Sequence, residues 1–456
     1  MIPIATSRRA IIQLAIPIIL ANATAPLLGL VDTAVIGQTN TAADLGAIAL
    51  GSLIFSFVYW SFGFLRMGTT GFTAQAAGAG DAAEVRAAFL RALLLGIAIG
   101  LVLIIAQYPL GHMAIWLLDA SPAVEQGTHD YWQLRIWAAP ATLGSYAIMG
   151  TLIGLGETRK LLWLQLLLNG TNILLDILFV VGFDWGVRGI ALGTLLAEWI
   201  CFAVGGLVLF QRLSTADSES FFSWRKIFLR DAIINTLKTN SDIMWRTLFM
   251  LTGFAWFANQ GAQFGDNTLA ANHILLQFIS FSAFFLDGFA FALESLIGKT
   301  IGAKNRQLFD RAIIHSTQIA AACAFSLMVI IGLCGHQFIQ WLTPISAVQE
   351  VALTYLPYAA IYILVSFAAF QLDGIFIGAT ASRAMRNASF ISLLVFLLAA
   401  EVLMSTTDNL AGNQGLWIAF IIYVITRALS LGYHLPQLRR ALEPLNGTDM
   451  RKVNAD

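Results

Sequence analysis

Long apolar stretches separated by short polar joints run along the whole chain. A helix needs about 20 mostly apolar residues to cross a bilayer. Stretches of that order stand at 10–36, 45–71, 88–110, 131–154, 161–182, 189–211, 240–261, 268–296, 312–334, 351–377, 388–405 and 414–436. The pattern predicts an all-α polytopic membrane protein with twelve transmembrane helices. Composition agrees with it. Of 456 residues 58% are hydrophobic and 11% charged, with a mean hydropathy of +0.75, whereas an ordinary soluble domain has roughly 25% charged residues. A water-soluble fold could not hide that much apolar surface, so lipid must be the solvent for most of it.

Lysine and arginine accumulate in cytoplasmic loops, which tests the number of spans. With the amino terminus inside, 21 of the 26 basic residues fall in inner loops and tails, Arg188 alone falls outside, and Arg66, Arg135, Arg246 and Arg427 lie within spans. One span missed or invented would destroy that asymmetry, so both termini are expected in the cytoplasm. Arg8 and Arg9 precede a run too long for the apolar region of a signal peptide, with no small-residue cleavage site behind it. The first span is therefore expected to stay in the mature protein. A formal charge of zero excludes an electrostatic nucleic-acid binder. Cys201, Cys323 and Cys334 sit in apolar runs and form neither a disulfide framework nor a zinc spacing.

The chain repeats itself. Shifted by 224 residues, Gly78-Ala79 falls on Gly302-Ala303, Tyr131 on Tyr355, Gly150 on Gly374, Gly154 on Gly378 and Arg159 on Arg383. Six spans per repeat is an even number, so two pseudo-symmetric six-helix lobes enter the membrane in the same sense. The expected division is a first lobe over 1–211, a linker over 212–239, a second lobe over 240–436 and a cytoplasmic tail over 437–456. In the linker Phe221, Phe222, Trp224, Ile227 and Phe228 interleave with Arg225, Lys226, Arg230 and Lys238, the pattern of an amphipathic segment on the inner surface. Two like bundles facing across a midline are the architecture of an alternating-access transporter.

An ionisable group in hydrocarbon costs about 2.5–3.5 kcal/mol on insertion scales, so each one needs a reason. Asp32 and Asp176 lie a few residues from the outer ends of spans 1 and 5, and Thr194 lies at a similar depth in span 6. Asn172 is one turn from Asp176 on the same helix face. Asp32, Asn172, Asp176 and Thr194 therefore belong to one lobe and one depth, and can form a single polar pocket. Two carboxylates in such a pocket cannot both stay ionised cheaply; a proton or a metal cation relieves the strain. Pro17 and Pro26 fall in the span that carries Asp32, and each removes a ladder hydrogen bond, so this helix is prepared to bend. The plainer reading, static kinks and locally satisfied aspartates, competes with this one.

A second group, Arg66, Asp242, Arg246, Asp287, Glu294, Lys299, His315 and Asp373, lies toward the cytoplasmic end of the spans. Both signs are present, so ion pairing between spans is the expectation, with a latch on the inner gate as the functional alternative. Asp373, inside span 10 beside Gln371 and Gly374, is the hardest of them to dismiss. Glu401 and Arg427, mid-span on neighbouring helices, are expected to pair. Leu293 stands where a phosphate-binding loop ending Gly298-Lys299-Thr300 would require glycine, which excludes ATP binding there. No catalytic triad or zinc-protease motif appears, so an enzyme has little support, and no metal cofactor is expected.

Four stretches, Leu30-Val31-Asp32-Thr33, the run from Phe64 to Gly71, Asn172-Ile173-Leu174-Leu175-Asp176, and the run from Asp373 to Gly378, together resemble the multidrug and toxic compound extrusion (MATE) family, and its DinF branch in particular. The resemblance covers nearly the whole chain. It implies an efflux pump of the bacterial inner membrane that exchanges external protons, or sodium in some members, for organic cations and other amphipathic compounds. It also implies protonation at Asp32, with Asn172, Asp176 and Thr194 as partners, Tyr131 at the substrate cavity, and a bend at Pro17. Sodium-coupled relatives use a glutamate on the seventh helix; span 7 offers Asp242 and Arg246 instead. The expected partners are small-molecule drugs and membrane lipid, and the expected state is a monomer. The alternatives are sodium-coupled efflux, a flippase for lipid-linked precursors, and a non-transporting membrane scaffold.

Overall fold

The computed structural model describes residues 4–37, 42–116, 120–214, 223–405, 412–440 and 442. Among them every regular element is helical. The first lobe comprises α1 (Arg8–Ile36), α2 (Ala42–Ser61), α3 (Phe64–Ala79), α4 (Ala82–Ile105), α5 (Gln107–Trp116), α6 (Pro122–Arg135), α7 (Ala139–Leu155), α8 (Thr158–Asp176) and α9 (Gly186–Ser214). A short α10 (Trp224–Ile227) leads to the second lobe, α11 (Arg230–Ala262), α12 (Asp266–Gly302), α13 (Arg306–Leu342), α14 (Ser346–Gly378), α15 (Ser382–Ser405) and α16 (Asn413–Arg440).

These elements make twelve membrane-spanning helices in two pseudo-symmetric six-helix lobes, because two predicted spans are broken rather than absent. The second is α2 followed by α3. The break at Phe62 and Gly63 is a tight turn whose amides donate to the Tyr59 and Trp60 carbonyls at 3.0 and 3.1 Å. The fourth is α6 and α7 joined by a 3₁₀ turn over Ile136–Ala138, where Pro140 near the start of α7 can give no ladder hydrogen bond. Ten of the spans are long and apolar enough to be read as membrane-crossing on composition alone, and α1 and α11 complete the twelve. α11 begins at Arg230, well before the predicted 240. Its first turns are amphipathic, so hydropathy marks the hydrocarbon layer and not the helix end.

The repeat is visible in the backbone. α3 ends at Gly80 and α7 at Gly156, both with φ of 76°. The repeat-related positions Lys304 and Thr380 are also left-handed, at 51° and 54°. Asp81 caps α4 by accepting the Glu84 amide at 2.9 Å, and its counterpart Asn305 caps α13 by accepting the Leu308 amide at 3.0 Å.

All of these turns lie at one end of the bundle, the basic end, and there the lobes meet. α3 and α12 cross so closely that a side chain on Gly78 would strike the Lys299 backbone, and one on Gly302 would strike the Gln75 carbonyl. Small residues permit such crossings where lipid gives no hydrophobic push between helices. α1 runs along α8 and also packs on α12, with Ile11 and Ala15 against Phe289 and Leu293. It therefore touches both lobes.

The linker helix docks instead of floating. Ile227 is buried in the first-lobe core, Arg91 donates to the Lys226 carbonyl at 2.9 Å, and Lys226 pairs with Asp81 at 3.1 Å. Trp224 and Phe228 stay exposed and stack on each other, as an interfacial segment would. Phe221 and Phe222 lie outside the described residues, as does the tail beyond 442.

Candidate functional site

Asn172 and Asp176 stand one turn apart on α8, and Thr194 faces them from α9; all three are buried. Asn172 Nδ2 donates to Thr194 Oγ1 at 3.2 Å, and the Thr194 hydroxyl in turn donates to the Ile190 carbonyl at 3.0 Å. Asn172 Oδ1 accepts no bond among the described residues, which leaves an oxygen acceptor in the pocket. Asp176 fits because residue 193 is glycine: a side chain there would run into its Oδ1. Immediately after Asp176 the helix widens into a π segment, Ile177–Gly182. That distortion is rare and recurs at functional sites, and hydropathy gives no sign of it. A buried carboxylate beside an amide and a hydroxyl can bind a proton or a hard cation through oxygen.

The fourth member of the predicted set, Asp32, lies on α1, as do Pro17 and Pro26. The side chains of Asp32 and Pro26 lie outside the described residues. Pro17 is buried, and α1 is a continuous helix through both prolines. α1 touches the π segment and α9 as well as α8, so three of the predicted residues come together under the helix that carries the fourth.

Tyr131 lies elsewhere in the same lobe, buried beneath α2. Its hydroxyl accepts from Arg135 and lies 3.3 Å from Ser52 Oγ. Arg135 in turn sits 4.9 Å above the Phe55 ring and 3.8 Å from Glu198 Oε1, and Thr142 donates to the other Glu198 oxygen. Glu198 is one turn beyond Thr194 on α9, so the lobe holds another interior carboxylate next to the predicted set. Sequence reasoning missed it. The i, i+4 spacing from Thr194 was the available signal.

Five of the eight other predicted charges, Arg66, Asp242, Arg246, Glu294 and Asp373, form ion pairs among the described residues. Arg66, in the first turns of α3 after the break, reaches across the lobes to Glu294 at 3.3 Å and lies 3.8 Å from the Phe291 ring centre. Asp373 accepts from Arg246 and, at 2.9 Å, from Arg427. The expected Glu401–Arg427 pair is not formed: Glu401 is exposed on α15, while Arg427 turns to Asp373 and to Met250 sulfur at 3.3 Å. Depth along a helix places two residues at one level but not on facing sides. Asp242 accepts from Arg386 at 2.6 Å and Ser382 at 2.9 Å. His315 Nδ1 contacts the Thr6 carbonyl at 2.8 Å. Asp287 is half-buried on α12, about two turns from Glu294.

Outside the spans, Glu157 opens α8. Burial would raise its carboxyl, but bonds from Lys160 and Arg212 outweigh that and hold it below the usual glutamate range.

A MatE family model matches residues 17–178 and 247–401. The DNA damage-inducible protein F of Escherichia coli (strain K12) is 34% identical over 432 residues, which are 93% of this chain and 91% of that protein. The multidrug resistance protein NorM of Vibrio cholerae is 26% identical over 447 residues, covering 94% of this chain and 95% of its own length. Among solved structures, a MATE transporter in its straight conformation superposes with a TM-score of 0.85 at 20% identity, covering 95% of this chain and 96% of that one. A MOP superfamily transporter from Pyrococcus furiosus, described as having a binding pocket of reversed polarity, gives 0.85 at 19% identity, with 96% and 97% covered. The structures speak for the fold. Matched by the family model over most of its length, and by a relative at 34% identity nearly end to end, this chain belongs to the MatE family, the multidrug and toxic compound extrusion transporters.

Proposed function

We propose that this chain is a proton-coupled exporter of cationic and amphipathic small molecules, working by alternating access in a bacterial inner membrane with both termini in the cytoplasm. The observation that carries this reading is the burial of Asp176, Asn172 and Thr194 together under α1. A carboxylate held in that environment is costly when ionised, so each working cycle loads and unloads it with a cation. Asp32 joins this set from α1. Protonation removes a charge between α1 and α8, and α1, already short of two ladder bonds at Pro17 and Pro26, responds by bending. The substrate cavity that the resemblance implies then shrinks and substrate leaves outward.

The skew of basic residues supports taking the basic end as cytoplasmic. Inter-lobe hydrogen bonds among the described residues gather there, from Arg8–Gln318 and Ser295–Gly154 to Arg66–Glu294 as the deepest. On this reading the inner gate is shut and the lobes part outward. The similarity to NorM, a multidrug resistance protein, supports the substrate class.

The test is export of a fluorescent organic cation from proteoliposomes, driven by a proton gradient and then by a sodium gradient. Proton-driven flux, abolished in a folded Asp32→Asn variant, is the expected result. Flux under sodium alone would keep the exporter and replace its coupling ion; undiminished flux in the variant would remove Asp32 from the mechanism.

A further inference from the structure

The repeat places Gln75 and Lys299 at equivalent positions, and at the seam between the lobes they do the same work. Gln75 Nε2 donates to the carbonyl of Gly378, the last residue of α14, at 2.9 Å. Lys299 Nζ donates to the carbonyl of Leu155, the last residue of α7, at 2.8 Å. Each side chain satisfies a helix-terminal carbonyl of the opposite lobe. Gln75 shows that a neutral amide is sufficient for that task. Lys299 brings a full charge that the seam does not use, and taking an ammonium out of water costs much more than taking out an amide.

What Lys299 faces accounts for the charge. It lines a cavity of about 1100 Å³ walled by both lobes, together with Arg159, Lys160 and Arg212. The acidic residue in that wall, Glu157, is already bonded to Lys160 at 2.5 Å and to Arg212. The wall therefore keeps a positive excess. The repeat imposes only part of it: Arg159 corresponds to Arg383, whereas Glu157, Lys160 and Arg212 correspond to Ala381, Ala384 and Pro436 in the second lobe. Room for the ammonium is also built in, because a side chain on Gly156 would collide with Lys299 Nζ. Leu14, Val85 and Leu213 make part of the same wall apolar.

We propose that this cavity binds a phosphate-bearing amphiphile, the head group of an acidic phospholipid, with Lys299 and Arg159 on the phosphate and the apolar wall on the chain stem. Basic pockets between transmembrane helices hold anionic head groups in this way. An anion seated there touches α8 and α9 of one lobe and α12 of the other, so it favours the form in which the basic end is closed. The site is independent of which ion drives transport.

The test uses the full-length protein in nanodiscs of phosphatidylcholine, with or without phosphatidylglycerol, and in detergent with inorganic phosphate. Melting temperature and lipid adducts in native mass spectra are the readouts. Phosphatidylglycerol is expected to raise the melting temperature and to persist as an adduct. Lys299→Gln, which keeps a seam donor as Gln75 does, is expected to lose both effects; Arg383→Gln, a charge removed from the same face but outside the cavity, should keep them. Stabilisation by inorganic phosphate, lost in Lys299→Gln, would support the anion site and assign it a soluble ligand. Should Lys299→Gln fail to fold, Arg159→Gln takes its place. Equal behaviour of the two lipids with the native chain and no response to phosphate would overturn the proposal, as would equal losses in Lys299→Gln and Arg383→Gln.

Discussion

Glu198 and Arg135 hold opposite charges 3.8 Å apart in a largely buried setting, and this makes a residue-level prediction. Removing one member strands the other: breaking a buried pair costs about 3–5 kcal/mol, whereas replacing both by apolar groups is often neutral. Arg135→Met is therefore expected to lower the melting temperature in detergent well below that of an Arg135→Met, Glu198→Leu double variant. A double variant as unstable as the single would mean that the pair is not a unit. Gly193 makes a second case. Gly193→Val must displace Asp176, since no space separates them. Loss of proton-driven export with insertion preserved is the expected outcome, and normal export would show that Asp176 can move at no cost to coupling. Of the candidate residues, Asp176, Asn172 and Thr194 were legible in the sequence because polar atoms in apolar helices stand out. Glu198 was equally polar and carried a signal in its i, i+4 spacing from Thr194, but its partner became visible only when α6 brought Arg135 opposite.

At the scale of elements, the turn from α7 to α8 is held by Glu157 with Lys160 and Arg212. Its carboxyl sits below the usual glutamate range, so it contributes stability above the unfolded value and loses it as pH falls through the folded one. The pairs are partly exposed, which keeps the effect small. Melting curves of the native chain and Glu157→Gln should differ near neutrality and converge below about pH 4; a constant offset would show that ionisation does not matter there. α1 is continuous through Pro17 in this structure. Pro17→Ala restores a ladder bond and stiffens it, so export is expected to slow severalfold while the fold melts no lower. The helix boundaries themselves were only partly legible. The broken spans α2–α3 and α6–α7 read as continuous apolar runs, because hydropathy does not register a local tightening of the backbone.

For the whole molecule, the decisive contact is the α3–α12 crossing at Gly78 and Gly302. Gly302→Val is expected to keep the basic end from closing. Distances between spin labels on α7 and α12 at that end should lengthen and broaden relative to the native chain, and an unchanged distribution would mean that the crossing yields without opening.

The number of spans and the duplication of six helices were determined by the sequence alone. Apolarity, charge placement and repetition are one-dimensional properties, and the bilayer reads them along the chain. Partnership was decided only by the tertiary structure. Arg427 chose Asp373 over Glu401, Arg135 found Glu198, and Lys299 and Gln75 became counterparts at a seam, since each depends on the rotation of a helix about its own axis. That rotation is set by how neighbouring side chains interlock, and no position along the chain encodes it by itself.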